Sequence, residues 1–104
     1  MVKIGSKKIG DGFPCYITFE IGPTHDGLAS AKRLIKAASK SGADAVKFQM
    51  FDPDRLISNK KQMFSYGVLK EQGSEEVEEI QESLHDLFLK RSFSKKEWIE
   101  LKKY

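Results

Sequence analysis

The sequence has few of the features that mark secreted or membrane-spanning proteins. Its 104 residues include one cysteine, Cys15, so an internal disulfide is excluded and a reducing, cytoplasmic location is expected. No run of about 18 apolar residues is present, and the N-terminal region lacks the apolar core of a signal peptide. We therefore expect no membrane partner, and we expect Cys15 to be a small buried hydrophobe rather than a nucleophile.

Basic and aromatic residues are not clustered as nucleic-acid binding requires. The formal net charge is +3, and 39% hydrophobic with 32% charged residues is an ordinary composition for a globular protein. Nucleic-acid binders combine a basic stripe with base-contacting aromatic residues, whereas the lysine pairs here are isolated at 7–8, 60–61, 95–96 and 102–103. We expect no nucleic-acid partner, and a small anionic ligand remains compatible with the charge.

Two apolar strands with a helix between them form the centre of the sequence. Alternating apolar residues predict strands at 16–21 and at about 45–50. Between them, residues at helical spacing predict an apolar stripe formed by Leu28, Ala31, Leu34, Ile35 and Ala38. Gly42 suits the left-handed position after this helix, and the short connection to the next strand is typical of parallel, right-handed βαβ units.

Three polar residues interrupt these apolar strands. Strand parity places Glu20 on the first strand and Lys47 and Gln49 on the second, opposite the bulky apolar face of each strand. Because chemistry in parallel α/β proteins takes place at the carboxyl ends of the strands, the three residues are candidates for a site in the mouth of a barrel. The alternative is a solvated strand face, as in an antiparallel sheet, and the intervening helix favours the barrel.

The remaining segments flank this βαβ core. Residues 2–9 alternate around Gly5-Ser6 and predict a β-hairpin. Residues 52–73 read as an irregular connection, and Ser74 to about Arg91 as an amphipathic helix with His85 on its surface. A last helix begins at Ser94, which forms a capping box with Glu97, while Phe93 and Trp98 occupy the positions of a hydrophobic staple. We expect Trp98 to pack beneath the helices.

Two parallel strands and three helices are too few to satisfy both edges of a sheet. A complete eight-stranded barrel needs roughly 250 residues. We therefore interpret residues 1–104 as the N-terminal portion of a larger barrel domain. Its parts are a hairpin and lead-in at 1–14, the βαβ core at 15–51, the irregular connection at 52–73 and helices at 74–104.

Two motifs in these segments resemble the opening of a known enzyme family. Residues 19–27, Phe-Glu-Ile-Gly-Pro-Thr-His-Asp-Gly, and residues 41–49, Ser-Gly-Ala-Asp-Ala-Val-Lys-Phe-Gln, are similar to motifs of the sialic acid (N-acetylneuraminate) synthases. Residues 94–104 resemble the helix before the third barrel strand of that family. The fold class that the resemblance implies is α/β: an N-terminal β-hairpin plus the first two βα units of a TIM (β/α)8 barrel, incomplete in this chain.

The resemblance also implies a reaction. Members of the family condense phosphoenolpyruvate with an N-acetylated hexosamine, such as N-acetylmannosamine, to give a nine-carbon 2-keto sugar acid and phosphate. They use a divalent metal, Mn²⁺ or Mg²⁺, and are homo-oligomers in which a small antifreeze-protein-like domain completes a swapped dimer. The metal-binding histidines lie on later strands, so the resemblance implies no metal ligand within residues 1–104.

By the same resemblance, individual residues acquire roles. Glu20 corresponds to a catalytic glutamate near the phosphoenolpyruvate, Lys47 to a lysine that binds this anion, and Gln49 to a residue near the sugar. His25 is interpreted as a loop-structuring residue. Thr24 and Asp26 stand where the family usually has asparagine. Any contact that the first asparagine makes in the family is therefore not carried over to this chain, and the departures bear on which sugar the enzyme accepts.

Two other functions remain open. One is a non-catalytic module that binds a phosphorylated or sugar ligand, or that pairs with another chain through its open strand edges. The other is a different phosphoenolpyruvate-using, aldol-type barrel enzyme. If the chain is part of a sialic acid synthase-like enzyme, we expect no turnover from the 104 residues alone.

Overall fold

A computed structural model describes residues 1–104 as a mixed α/β chain with three separate two-stranded sheets. In chain order the elements are β1 (Val2–Ile4), β2 (Lys7–Ile9), β3 (Thr18–Glu20), α1 (Leu28–Lys40), β4 (Ala45–Lys47), α2 (Pro53–Leu56), β5 (Met63–Leu69), β6 (Val77–Ser83), α3 (Leu84–Lys90) and α4 (Lys95–Lys103). None of the helices combines the length and apolar character needed to cross a membrane.

The N-terminal hairpin is confirmed. Strands β1 and β2 pair antiparallel with Ile4 opposite Lys7, which leaves Gly5 and Ser6 as the turn. Gly5 has φ +59°, a value that L side chains rarely adopt, so glycine is favoured at this turn. The Lys7 Nζ lies 3.1 Å from Asp44 Oδ1, and this ion pair connects the hairpin to the start of β4.

The βαβ unit is also confirmed. Strands β3 and β4 are parallel, α1 crosses between them, and Gly42 after the helix has φ +90°. Asp44 fixes the entrance to the sheet, because its backbone N–H donates to Ile17 O at 2.8 Å and its Oδ2 accepts from Ile17 N–H at 2.9 Å. The pKa of Asp44 is held below its ordinary value. The largest cause is the hydrogen bond from the Ile17 N–H, and the next is the contact with Lys7.

The helices pack against one face of β4. Val46 and Phe48 line a cavity together with Ile35 of α1 and Trp98 of α4. Trp98 meets Phe48 edge-on at 6.0 Å between ring centroids, and it meets Phe93 edge-on at 4.9 Å, so the expected staple is formed. The capping box of α4 is present as well.

The structure corrects the description of residues 52–91. Instead of an irregular connection followed by one helix, β5 and β6 form an antiparallel hairpin in which Tyr66 lies opposite Ile80. Within residues 74–91 only Leu84–Lys90 is helical, and Ser83 caps this helix by accepting a hydrogen bond from the Asp86 N–H at 3.0 Å. The helix prediction is therefore wrong for residues 74–83. Phe64, Tyr66 and Val68 alternate with other residues along 63–69, a pattern that suits a strand. Residues 77–83 form the strand with which it pairs.

Two further expectations are wrong. Cys15 is exposed, because β3 begins only at Thr18 and Cys15 lies in the extended lead-in before it. The side chain of His85 is only 16% exposed rather than free on the surface. Its Nε2 lies 2.7 Å from Asp54 Oδ1, since α3 packs against α2.

Candidate functional site

Glu20 and Lys47 lie side by side at the carboxyl ends of the parallel strands. They are direct partners in the strand register, and Glu20 Oε2 is 2.9 Å from Lys47 Nζ. Their side chains are 46% and 65% exposed, respectively. An ion pair this exposed contributes only about 0–1 kcal/mol to folding because water and salt screen it. The pair can therefore be broken at small cost when another charged group competes for either partner.

Gln49 completes this group over Gly22. A Cβ atom built on Gly22 would lie 3.2 Å from Gln49 Nε2 and 3.2 Å from Glu20 Oε1, so both side chains end directly above the glycine. Gly22 has φ +50°, and its N–H and that of Ile21 both donate to Lys47 O, at 3.2 and 2.8 Å. The structure thus brings the three predicted site residues together, and Gly22 is a member of the site that sequence reasoning did not single out.

The loop after β3 turns back sharply at Thr24. Its backbone N–H and its Oγ1 hydroxyl both donate to Ile21 O, at 3.2 and 2.7 Å. Thr24 also lines a cleft that contains Glu20 and is closed on the other side by α1. The hydroxyl of Thr24 therefore serves the turn itself.

His25 anchors this loop in the interior. Its side chain is 1% exposed, and its ring stacks on Phe93 with centroids 4.4 Å apart and planes 14° apart. Neither ring nitrogen has a hydrogen-bond partner. Burial, and then the positive charge of Arg91, lower the pKa of His25 below 6.5, while Asp26 acts in the opposite direction. This placement agrees with a loop-structuring role for a neutral imidazole.

A cavity of about 380 Å³ adjoins the same loop, and we refer to it as the hairpin pocket. One wall is the loop after β3, the second is β5 and the third is α3. Its lining residues are Pro23, Thr24, Phe64, Tyr66, Val68, Leu87, Phe88 and Arg91. Sequence reasoning missed this pocket because it placed β5 in an irregular connection and took Arg91 only as the end of a helix.

The residues of the chain do not fit the divalent metal that the resemblance implies. Nowhere does the structure bring together three or more His, Cys, Asp or Glu side chains in a group that would hold a metal ion. His25, the buried candidate, is enclosed by Phe93 and Phe48 rather than by carboxylates or other imidazoles.

Sequence comparisons relate the chain to carbohydrate enzymes. The NeuB family profile matches residues 34–104, a range that includes Lys47 and Gln49 and begins after Glu20. The chain is 51% identical over 55 residues to the spore coat polysaccharide biosynthesis protein SpsE of Bacillus subtilis, covering 52% of this chain and 15% of that protein. It is 44% identical over 63 residues to the N,N'-diacetyllegionaminic acid synthase of Legionella pneumophila, covering 60% and 18% of the two chains.

A human protein gives a similar result. The chain is 50% identical over 42 residues to human N-acetylneuraminate-9-phosphate synthase, covering 39% of this chain and 12% of that protein. The aligned segments thus span less than a fifth of each of these three relatives. No solved structure gives a significant match.

Proposed function

The chain belongs to the NeuB family, and from this premise we propose that it forms the N-terminal part of a sialic acid synthase-like enzyme. The enzyme condenses phosphoenolpyruvate with an N-acetylhexosamine, forming a nine-carbon sugar acid and releasing phosphate. The observation that carries the proposal is the convergence of Glu20 and Gln49 over Gly22, with Lys47 ion-paired to Glu20, at the carboxyl ends of two parallel strands. Two of the matched relatives are themselves named as synthases of this kind of product.

The proposed fold of the whole enzyme is a TIM barrel in which β3 and β4 are the first two strands. Support comes from the parallel pairing, from the helical crossover and from the packing of Val46 and Phe48 against helices, which leaves the polar residues on the opposite face. In such a barrel the connection that follows β4 belongs to the catalytic face. The β5–β6 hairpin and the hairpin pocket would therefore border the active site.

Lys47 supplies the cation for phosphoenolpyruvate in this proposal. A substrate that carries both a carboxylate and a phosphate requires a fixed positive charge, and an ammonium group near a partly enclosed barrel mouth provides it. In the ligand-free chain the ammonium is 2.9 Å from Glu20, and the exposed pair is weak enough for the substrate anion to replace the carboxylate.

Glu20 and Gln49 then have separate tasks. The released carboxylate of Glu20 stabilises the positive charge that develops at C2 of phosphoenolpyruvate as C3 bonds to the aldehyde carbon, and it orients the water that adds at C2. The Gln49 amide both donates to and accepts from sugar hydroxyls, because it carries an NH₂ group and a carbonyl oxygen. Gly22 leaves the space in which both side chains meet.

The other properties of the whole enzyme are proposed from the family resemblance. They are a requirement for Mn²⁺ or Mg²⁺ with ligands outside these 104 residues, a homo-oligomeric state and a cytoplasmic location. They are supported by the family match and by the sugar-acid synthases among the relatives.

The proposal is tested by titrating the ¹⁵N-labelled chain with phosphoenolpyruvate and following the amide resonances of Glu20, Lys47 and Gln49. We expect all three to shift, and we expect Lys47→Ala to weaken binding by about tenfold or more, since it removes the cation. Lys70→Ala is the matched control, because Lys70 also forms an exposed ion pair, with Glu76 in the β5–β6 hairpin, away from the site.

Equal phosphoenolpyruvate affinity in the Lys47→Ala variant and the original chain would contradict the assigned role. Binding that depends on Lys47, combined with no response to N-acetylmannosamine, would favour the other phosphoenolpyruvate-using barrel enzymes. Mixing the chain with both substrates should release no phosphate, because the chain spans only a small part of its relatives.

A further inference from the structure

We propose that His25 is a positioning residue for Gln49, because its ring packs against Phe48 and Phe93 and so fixes the segment that follows β4. This inference rests on the proposed function and deepens it, since Gln49 is the residue proposed to contact the sugar. It also goes beyond a role of His25 in its own loop, because the residue acts on a different strand. Three observations carry it: an aromatic cluster around His25, the lack of main-chain support at Gln49, and the separate fixation of Lys47.

Four aromatic rings form a closed group that we call the aromatic cluster: His25, Phe48, Phe93 and Trp98. The ring of His25 stacks on Phe93 with centroids 4.4 Å apart, and it lies 6.0 Å from Phe48. Trp98 meets Phe93 edge-on at 4.9 Å and Phe48 edge-on at 6.0 Å. Stacked and edge-on pairs are the favourable arrangements of aromatic rings. Because each ring packs against two others, the cluster joins the loop after β3 to the end of β4 and to α4.

Gln49 lies beyond the last hydrogen bonds of its sheet. Strand β4 ends at Lys47, and neither Phe48 nor Gln49 makes a hydrogen bond with another main-chain group. Phe48 precedes Gln49 directly, and it lines the cavity between β4 and the helices, on the side opposite Gln49. With no main-chain bonds there, the direction of the chain at Gln49 depends on how Phe48 packs in the aromatic cluster.

Lys47 is fixed by different interactions. It lies opposite Glu20 in the parallel register, and its carbonyl oxygen accepts hydrogen bonds from the N–H groups of Ile21 at 2.8 Å and Gly22 at 3.2 Å. None of these bonds uses a ring of the aromatic cluster. Loss of the His25 ring should therefore displace Gln49 and leave Lys47 in place, whereas a general loss of stability would affect both residues.

The imidazole of His25 acts through its shape rather than through hydrogen bonds. The side chain is 1% exposed, and neither ring nitrogen has a partner. Buried polar atoms without a partner lower stability, so the nitrogens are not what holds the cluster together. A phenyl ring at this position should preserve the stacking on Phe93, and an alanine should abolish it.

The test compares His25→Ala and His25→Phe with the original chain by NMR. A Cβ atom on Gly22 would lie 3.2 Å from Gln49 Nε2, so the original chain should give a nuclear Overhauser effect between the Gln49 NH₂ protons and the Gly22 α-protons. We expect His25→Ala to lose this effect and His25→Phe to keep it. His85→Ala is the matched control, because His85 is the other histidine and contacts Asp54 on α2; it should keep the effect as well.

Ligand affinities supply a second readout. With phosphoenolpyruvate present, His25→Ala should bind N-acetylmannosamine about threefold to tenfold more weakly, since a misplaced amide loses its contacts to the sugar hydroxyls. Its affinity for phosphoenolpyruvate should not change, and His25→Phe should recover the sugar affinity. If His25→Ala fails to fold, as judged from the dispersion of its amide resonances, Phe93→Leu is the second variant. It keeps an apolar side chain but removes the ring on which His25 stacks, so the Gln49–Gly22 effect should again be lost.

Three results would overturn the positioning role. The first is an intact Gln49–Gly22 effect in a folded variant that lacks the His25 or Phe93 ring. The second is absence of the effect from the original chain or from His25→Phe. The third is equal weakening of phosphoenolpyruvate and sugar binding in His25→Ala, which would indicate a general loss of stability.

The outcomes separate this inference from the proposed function. If phosphoenolpyruvate binding depends on Lys47 but the Gln49–Gly22 effect does not depend on His25, the proposed function stands without the positioning role. If the effect depends on His25 while Lys47→Ala leaves phosphoenolpyruvate affinity unchanged, the positioning role stands and the assigned role of Lys47 fails. If the effect depends on His25 and the sugar does not bind, the positioning role stands and the assigned sugar contact of Gln49 fails.

Discussion

Replacing Gly22 by alanine tests the geometry of the candidate site most directly. Gly22 has φ +50°, and an L residue in the left-handed region costs roughly 1–2 kcal/mol relative to glycine. The added Cβ would also lie 3.2 Å from both Gln49 Nε2 and Glu20 Oε1, closer than an ordinary van der Waals contact. Both atoms end flexible side chains, so we expect them to move rather than the backbone.

The chain provides a matched control in Gly5→Ala. Gly5 has φ +59°, so alanine meets a similar backbone penalty there, but no atom lies within 4 Å of the added Cβ. Both variants should lower the free energy of unfolding in urea by about 1–2 kcal/mol. Only Gly22→Ala should shift the side-chain NH₂ resonance of Gln49 and weaken phosphoenolpyruvate binding, by about threefold to tenfold, since the substrate must reorder the displaced groups.

Two results would refute this reasoning. If Gly5→Ala weakens phosphoenolpyruvate binding as much as Gly22→Ala, the effect comes from lost stability rather than from the site. If the Gln49 NH₂ resonance of Gly22→Ala is unchanged, the side chains do not converge over the glycine.

Three further predictions concern His25, Glu82 and Ser94. The folded chain holds the pKa of His25 below 6.5, so the unfolded chain takes up a proton at a higher pH than the folded chain does. The stability from the neutral imidazole is therefore complete above pH 6.5 and is lost as the pH falls through the lowered pKa. The urea midpoint should fall on acidification through this window, and His25→Phe, which keeps an aromatic ring against Phe93, should flatten that dependence; an unchanged slope would contradict it. Tyr66→Phe should raise the pKa of Glu82 toward its ordinary value in a ¹³C carboxyl titration, because the Tyr66 bond is the largest cause of its lowering. Ser94→Ala should lower the free energy of unfolding by about 1 kcal/mol through loss of the capping box, whereas Ser92→Ala, outside the cap, should have a smaller effect.

The sequence was informative wherever the determining interactions are local. The Gly5-Ser6 turn, the apolar stripe of α1, Gly42 and the Ser94–Glu97 capping box each depend on residues within a few positions of one another, and all are present in the structure. The β5–β6 hairpin depends on pairing between residues such as Tyr66 and Ile80, which are far apart in sequence. The spacing of Val77, Ile80 and Leu84 suits a helix. Residues 77–83 form a strand instead because they pair with residues 63–69.

The site shows the same division. Parity along the two predicted strands is enough to place Glu20, Lys47 and Gln49 on one face, although β4 itself ends at Lys47. The parallel register then sets Glu20 directly beside Lys47. Gly22 was not identified, because its role depends on two side chains from different strands that meet above it. Arg91 was not identified either, since it reaches the hairpin pocket only because β5 folds alongside α3.

The ion pair between Glu20 and Lys47 has a consequence for selectivity. A lysine with its own carboxylate beside it attracts no excess of anions from solution, because the two charges cancel at a short distance. A single weak anion, such as acetate or chloride, offers the ammonium nothing better than the carboxylate it already contacts. A ligand that presents two anionic groups in one molecule can displace Glu20 with one group while the other finds a second partner. We therefore expect ligands with two anionic groups to bind beside Lys47 more tightly than acetate or chloride does.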